Sequence, residues 1–198
     1  SSPFAEKVRL VLGFKQLPWK SVIIPSVMPK PDVVALTGGY RRTPVLQIGA
    51  DIYCDTSLIC EVLEHTQPEP VLYPPHLKGV SRVFAQWADS TLFWTAMAWN
   101  MQPKGVAALF AKLPPEAGAA FAEDRKAMSA NMPRLRPGDA TSATRSYLRR
   151  LSDMLDGQPY LLGTAPCIAD FATYHPLWFI RTCTPSMAGI LDATPVVL

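Results

Sequence analysis

The 198-residue chain has little of what metal and redox centres require. Its four cysteines (Cys54, Cys60, Cys167, Cys183) and three histidines (His65, His76, His175) form no C-x-x-C or H-x-x-x-H pair, the spacings that dithiol and zinc sites use. No metal is expected. The cysteines are too sparse for a disulfide framework, and no charged-then-apolar leader opens the sequence, which reads as cytoplasmic. Apolar runs such as Gly105 to Ala111 fall far short of the roughly 20 residues of a membrane span, so no membrane is expected as a partner. An excess of one charge is also lacking. With 19 basic and 16 acidic side chains, net +3, there is neither a polybasic arm nor an acidic tail, and no nucleic-acid partner is expected. Charged residues make up only 18% and apolar ones 48%, so the chain can bury a sizeable core and is not disordered.

What is present divides in two. Residues 1–77 carry seven basic and seven acidic groups, and the whole excess of charge lies beyond them. Between the parts runs Gln67-Pro68-Glu69-Pro70-Val71-Leu72-Tyr73-Pro74-Pro75, whose four prolines disfavour helix and sheet interiors and read as a semi-rigid linker. We place the domains at 1–75 and 76–198.

The first part mixes periods. Ser2 as a cap and Pro3 at the first helical position open an amphipathic helix through Leu12. Trp19 to Ile24 is β-branched and predicts a strand. Pro44 to Ile48, the turn Gly49-Ala50-Asp51 and Ile52 to Cys54 predict a hairpin. From Asp55 to Thr66, Leu58, Ile59, Val62 and Leu63 recur at helical spacing behind the cap residues Asp55 and Thr56. The second part reads as helices only: Leu77 to Met101, Pro115 to Met132, Thr141 to Leu155 and Cys167 to about Thr182.

Four features fit one another: Ser2-Pro3-Phe4 opening a helix, Thr43-Pro44 opening a hairpin strand, Asp55-Thr56 opening a second helix, and the proline linker. In this order the sequence resembles the soluble glutathione transferases over nearly its whole length. Gly163-Thr164-Ala165-Pro166-Cys167-Ile168-Ala169-Asp170-Phe171 is similar to the family's buried capping motif. The resemblance implies an α/β thioredoxin-like N-terminal domain, an all-α C-terminal domain, glutathione as cosubstrate and a homodimer.

The resemblance also implies site residues. A glutathione thiolate is stabilised by a helix N-terminus and a hydroxyl donor, and Ser2 is the catalytic candidate, with Ser1 as second choice. Ser2 as a plain N-cap is the competing reading. Thr43-Pro44 is implied to be a cis bond that frees the Thr43 backbone to pair with the cysteinyl unit of glutathione, the alternative being an ordinary trans proline at a strand edge. Asp55 and Thr56 offer a helix start to the γ-glutamyl group, or are simply a cap. Phe4 joins the glutathione-binding set. Arg42 is placed near the glycyl carboxylate, although a solvated charge explains it as well. Phe93, Trp94 and Trp99 are candidates to line an apolar pocket for the electrophile, against a core role.

The sequence departs from the family pattern in several places. Cys167 stands where a Ser or Thr cap is usual, and Asp-Thr where Glu or Gln followed by Ser is more common. No cysteine lies beside Ser2, which favours conjugation or thiolysis over mixed-disulfide chemistry. A thioredoxin-like sheet needs a strand before its first helix. We therefore expect about 8 to 12 residues in front of Ser1, and a continuation beyond Pro195-Val196-Val197-Leu198. Two rival functions are a non-catalytic binding or scaffolding protein of the same fold and a thiol transferase using Cys54 or Cys60.

Overall fold

Proline and the apolar stripe set the first element. In a computed structural model, which describes residues 2–130 and 135–194, α1 spans Pro3–Phe14 with proline in its first turn. A proline there forfeits only an amide that would be unpaired anyway. Val8, Val11 and Leu12 are buried, and Lys7 and Lys15 are each only 1% exposed. The Lys15 ammonium donates to the Glu64 carboxylate and to the carbonyls of Pro68 (3.2 Å) and Pro70 (2.6 Å). The end of α1 is thus tied to the proline-rich segment. The later elements of this region are α2 (Pro31–Thr37), β1 (Val45–Ile48), β2 (Asp51–Cys54) and α3 (Thr56–Thr66).

The order is therefore helix, helix, hairpin, helix, and two expectations change. Trp19–Ile24 forms no strand: Val22 is 81% and Ile23 95% exposed. Strand propensity reflects packing on a pleated, half-buried surface, and among the described residues no strand pairs with this segment. The unforeseen α2 is short, with Pro31 at its start and Gly38 closing it at φ 62°, a conformation glycine adopts freely. The hairpin pairs Val45 with Cys54 and Ile48 with Asp51. Asp51 therefore belongs to the strand, and the turn is Gly49-Ala50, with Gly49 at φ 61°.

The remaining elements are helical: α4 (Lys78–Trp87), α5 (Phe93–Asn100), α6 (Pro103–Phe110), α7 (Pro115–Met128), α8 (Pro137–Met154) and α9 (Ile168–Cys183). A π turn at Ala88–Leu92 joins α4 to α5, so the expected helix over 77–101 is one run with a widened turn. The helix expected to Met132 ends at Met128, and residues 131–134 and Pro195–Leu198 lie outside the described residues. By contact, the chain divides into Ser1–Pro70 with Lys112–Met132, and Val71–Ala111 with Pro133–Leu198.

In the second unit α9 is the central helix. It buries Ile168, Ala169, Ala172, Leu177, Phe179 and Ile180, and α8 faces inward with Ala140, Thr144, Leu148 and Leu151. Asp170 fixes the start of α9 by accepting from the amides of Cys167 (2.9 Å) and Leu161 (2.8 Å). These are two of the donors that the turn would otherwise leave unpaired. His175, fully buried, holds Asp89 of the π turn through Nε2 at 2.9 Å.

Candidate functional site

The hairpin register collects two of the expected contacts. Because Val45 opposes Cys54, Thr43-Pro44 and Asp55 leave the ladder at the same end. The Thr43–Pro44 bond is cis. Thr43 is half-buried and Arg42 exposed.

Asp55 stands at φ 74°, ψ 128°, a strained backbone for a residue other than glycine. Its Oδ1 accepts from the Ser57 amide at 2.8 Å, which makes it the N-cap of α3. Thr56, the first residue of that helix, is buried, and its Oγ1 accepts from the Lys7 ammonium at 3.3 Å. Tyr40 is close enough to respond: burial first, then the Asp55 charge, pushes its phenol up, while Arg42 opposes.

The Lys7–Thr56 bond joins α1 to the start of α3. Ser2 precedes Lys7 by five positions, roughly 7.5 Å along a helix axis. Ser2 is the N-cap by backbone, extended at φ −89°, ψ 132°, and its carbonyl accepts from the Glu6 amide at 3.1 Å. Its side chain makes no capping bond, so the hydroxyl is not consumed by the helix. Phe4 is half-buried in the first turn. Ser1 lies outside the described residues.

The aromatic candidates belong to the helical unit. Phe93 is 8% exposed, with its ring edge-on to Trp94 at 5.0 Å. The Trp99 indole N–H donates to the Met187 carbonyl at 3.2 Å. Trp94 is half-buried. A groove of about 360 Å³ on α8, lined by Ser146, Arg149, Arg150 and Thr194 among others, contains none of the candidate residues.

The thiols are poorly placed for exchange chemistry. Burial pushes the Cys54 thiol up, Cys60 is fully buried, and burial pushes Cys167 up to about 11. A low-pKa, accessible thiol is what that chemistry demands. Among the described residues no group of three His, Cys, Asp or Glu side chains is placed to hold a metal, and no helix is long and apolar enough to cross a membrane.

Sequence reasoning missed several charged groups around these segments. Lys7, Val11 and Lys15 recur every four residues along one buried face that runs from α1 to its C-cap, a visible pattern that includes two lysines. Lys30, 5% exposed, donates to the Arg41 carbonyl at 3.4 Å. Burial, and then the charges of Arg125 and Arg41, pulls its ammonium down. Asp124 of α7 accepts from the Met28 amide (3.1 Å) and from Arg41 and Arg125. No local spacing links position 124 to position 41.

Residues 1–71 match the family model for the glutathione S-transferase N-terminal domain. A GST-like protein from Pseudomonas syringae is 41% identical, with a TM-score of 0.72 over 100% of this chain and 60% of that one. A glutathione S-transferase from Methylobacillus flagellatus, solved with glutathione bound, shares the fold at 21% identity and TM-score 0.65, covering 99% of this chain and 86% of that one. The pyrimidodiazepine synthase of Drosophila melanogaster is 36% identical over 76 residues, 36% of this chain and 31% of its own length. The chain thus spans 60% of the Pseudomonas protein and less than a third of the Drosophila one. The small hairpin sheet with its helices, followed by an all-helical region, is the thioredoxin-like plus helical architecture of those structures. Residues 1–71 are thus a glutathione S-transferase N-terminal domain by the family model, and the full chain is similar in sequence and fold to a GST-like protein.

Proposed function

We propose that this protein is a glutathione transferase that holds glutathione along the hairpin end and activates its thiol at Ser2. One observation carries the reading: Thr43 and the Asp55–Thr56 helix start leave the hairpin at the same end. This gives an extended peptide a backbone edge beside a cap. Thr43 would pair with the cysteinyl unit, and the start of α3 would take the γ-glutamyl carboxylate with its free amides and the Thr56 hydroxyl. Asp55 would accept from the α-ammonium, Phe4 would pack against the bound peptide, and Arg42 would face the glycyl carboxylate.

The chemistry asked of the protein is modest. Ser2 donates a hydrogen bond to the sulfur, and the positive end of α1 adds to it, so the thiol gives its proton to solvent more readily. The thiolate then forms a bond to an electrophilic carbon, and the leaving group departs with its electron pair. We keep Phe93, Trp94 and Trp99 as the candidates for an apolar electrophile pocket. A cytoplasmic homodimer is the assembly we propose, to be checked by light scattering.

The test is thermal unfolding with and without millimolar glutathione. A ligand at about 100 times its Kd stabilises by about 2.7 kcal/mol, an increase of roughly 5–10 °C in Tm for a chain of this size. A shift that Asp55→Ala abolishes supports the site. No shift in the parent protein sinks the glutathione reading and turns attention to a scaffolding role.

A further inference from the structure

The connector that leads into Thr43 has no regular structure of its own. Residues 38–44 lie between α2 and β1, outside helix and strand, and open with Gly38 at φ 62° and Gly39 at φ 100°. Two glycines in succession leave a chain many conformations to lose on ordering. Side chains hold it instead. The Thr37 hydroxyl donates to the Tyr40 carbonyl at 2.7 Å, and the Lys30 ammonium to the Arg41 carbonyl at 3.4 Å. The Arg41 guanidinium donates to Asp124 of α7, whose carboxylate also accepts from the Met28 amide at 3.1 Å and from Arg125. Thr37 ends α2 and Lys30 is its N-cap, so these two move with the connector. Asp124 differs from them: it ties the segment before α2 and the segment after it to a separate helix, 83 residues on from Arg41.

Resting on the glutathione reading above, we propose that Asp124 is a positioning residue for glutathione, acting through Arg41 to hold the Thr43 backbone where the cysteinyl unit pairs with it. A backbone edge binds an extended peptide only while it is in the pairing conformation, so the apparent affinity falls with the fraction of time spent there. With Arg41 held, the connector is ordered when the protein folds rather than when the ligand arrives. Simple electrostatics makes the opposite prediction. Asp124 is negative, and glutathione, with two carboxylates and one ammonium, carries a net negative charge at pH 7. Removing the Asp124 charge would by itself tighten binding, whereas losing the tether weakens it.

The experiment is calorimetric titration of the full chain with glutathione at pH 7, well below the Tm of every variant, using Asp124→Asn, Arg41→Met, Arg41→Lys and the Asp124→Asn/Arg41→Met double variant. Asp124→Asn and Arg41→Met are each expected to raise the Kd about tenfold, as for a connector that is competent about a tenth of the time. The double variant should bind no worse than the weaker single one, because the two residues act as one unit. Arg41→Lys, which keeps the charge, should recover most of the affinity. Gly105→Ala, in the other unit, serves as a control for lowered stability and should bind as the parent protein does. If Asp124→Asn does not fold, Arg41→Met and Arg41→Lys carry the comparison. Tighter binding by Asp124→Asn, unchanged binding by either single variant, additive losses in the double variant, or an equal loss in Gly105→Ala overturns the role of Asp124 alone. No glutathione binding by the parent protein overturns the glutathione reading and this proposal with it.

Discussion

Asp124 of α7 holds Arg41, two residues before Thr43, through a carboxylate of which only 7% is exposed. Burial by itself would raise the Asp124 carboxyl, but the Met28 amide, Arg41 and Arg125 outweigh it and hold it below the usual carboxylate range. A depressed folded-state pKa stabilises above the unfolded value, near 3.9, and that contribution is lost as pH falls through the folded value. Asp124→Asn should therefore lower Tm at pH 7, and the gap to the parent protein should narrow below about pH 3. Tm measured from pH 2.5 to 7 checks this, and a gap independent of pH counts against it.

Asp55 separates binding from stability. Its positive φ costs on the order of 1–3 kcal/mol in a residue with a Cβ, and losing its cap costs about 1. In Asp55→Gly the relief of the first offsets the second, so Tm should stay within a few degrees of the parent protein while the shift with glutathione disappears. Asp55→Ala keeps the strain and loses the cap, and should be the less stable of the two. Chemical denaturation of both variants decides the ranking.

Ser2→Ala should leave glutathione binding nearly intact and remove conjugation. Without the hydroxyl donor the bound thiol returns toward about 8.5, and each unit of pKa is tenfold in thiolate. At pH 6.5 the rate should drop on the order of 10- to 100-fold, and the loss should shrink above pH 9. A pH-rate profile with one conjugation substrate is sufficient. An unshifted profile excludes Ser2 as the activating group.

Gly105→Ala tests the entry to α6. A Cβ at position 105 would lie 1.8 Å from the Asn100 carbonyl oxygen and 3.1 Å from the Met187 side chain. The first of these is backbone, so the chain must move rather than a side chain. We expect a loss at the upper end of the roughly 1–3 kcal/mol seen for overpacking, with glutathione binding unchanged in the folded fraction. A Tm within one degree of the parent protein refutes the tight turn.

Cys167→Ser should raise stability by about 0.5–1 kcal/mol, because a hydroxyl is a better helix cap than a thiol. The thiol is fully buried and pushed up to about 11, by burial first. It should resist alkylation in the native protein at pH 8 and react only on unfolding. Mass analysis after a short exposure to a maleimide distinguishes the two, and a lowered Tm in the serine variant counts against the cap.

The sequence by itself determined the elements whose signals are local. Pro3 and the Val8–Leu12 stripe specify α1, alternation and Gly49 specify the hairpin, and Asp170 three residues after Cys167 specifies the start of α9. It also singled out the Thr43–Pro44 bond, which is cis. Tertiary structure decided what depends on partners distant in sequence. Trp19–Ile24 has strand propensity, but a strand also requires a neighbouring ladder. Lys7 and Lys30 look like surface charges until Thr56 and Arg41 are placed against them. Asp124 meets Arg41 across 83 residues. Hydrogen bonds and burial between distant segments follow from how helices pack, and no spacing within one segment encodes them.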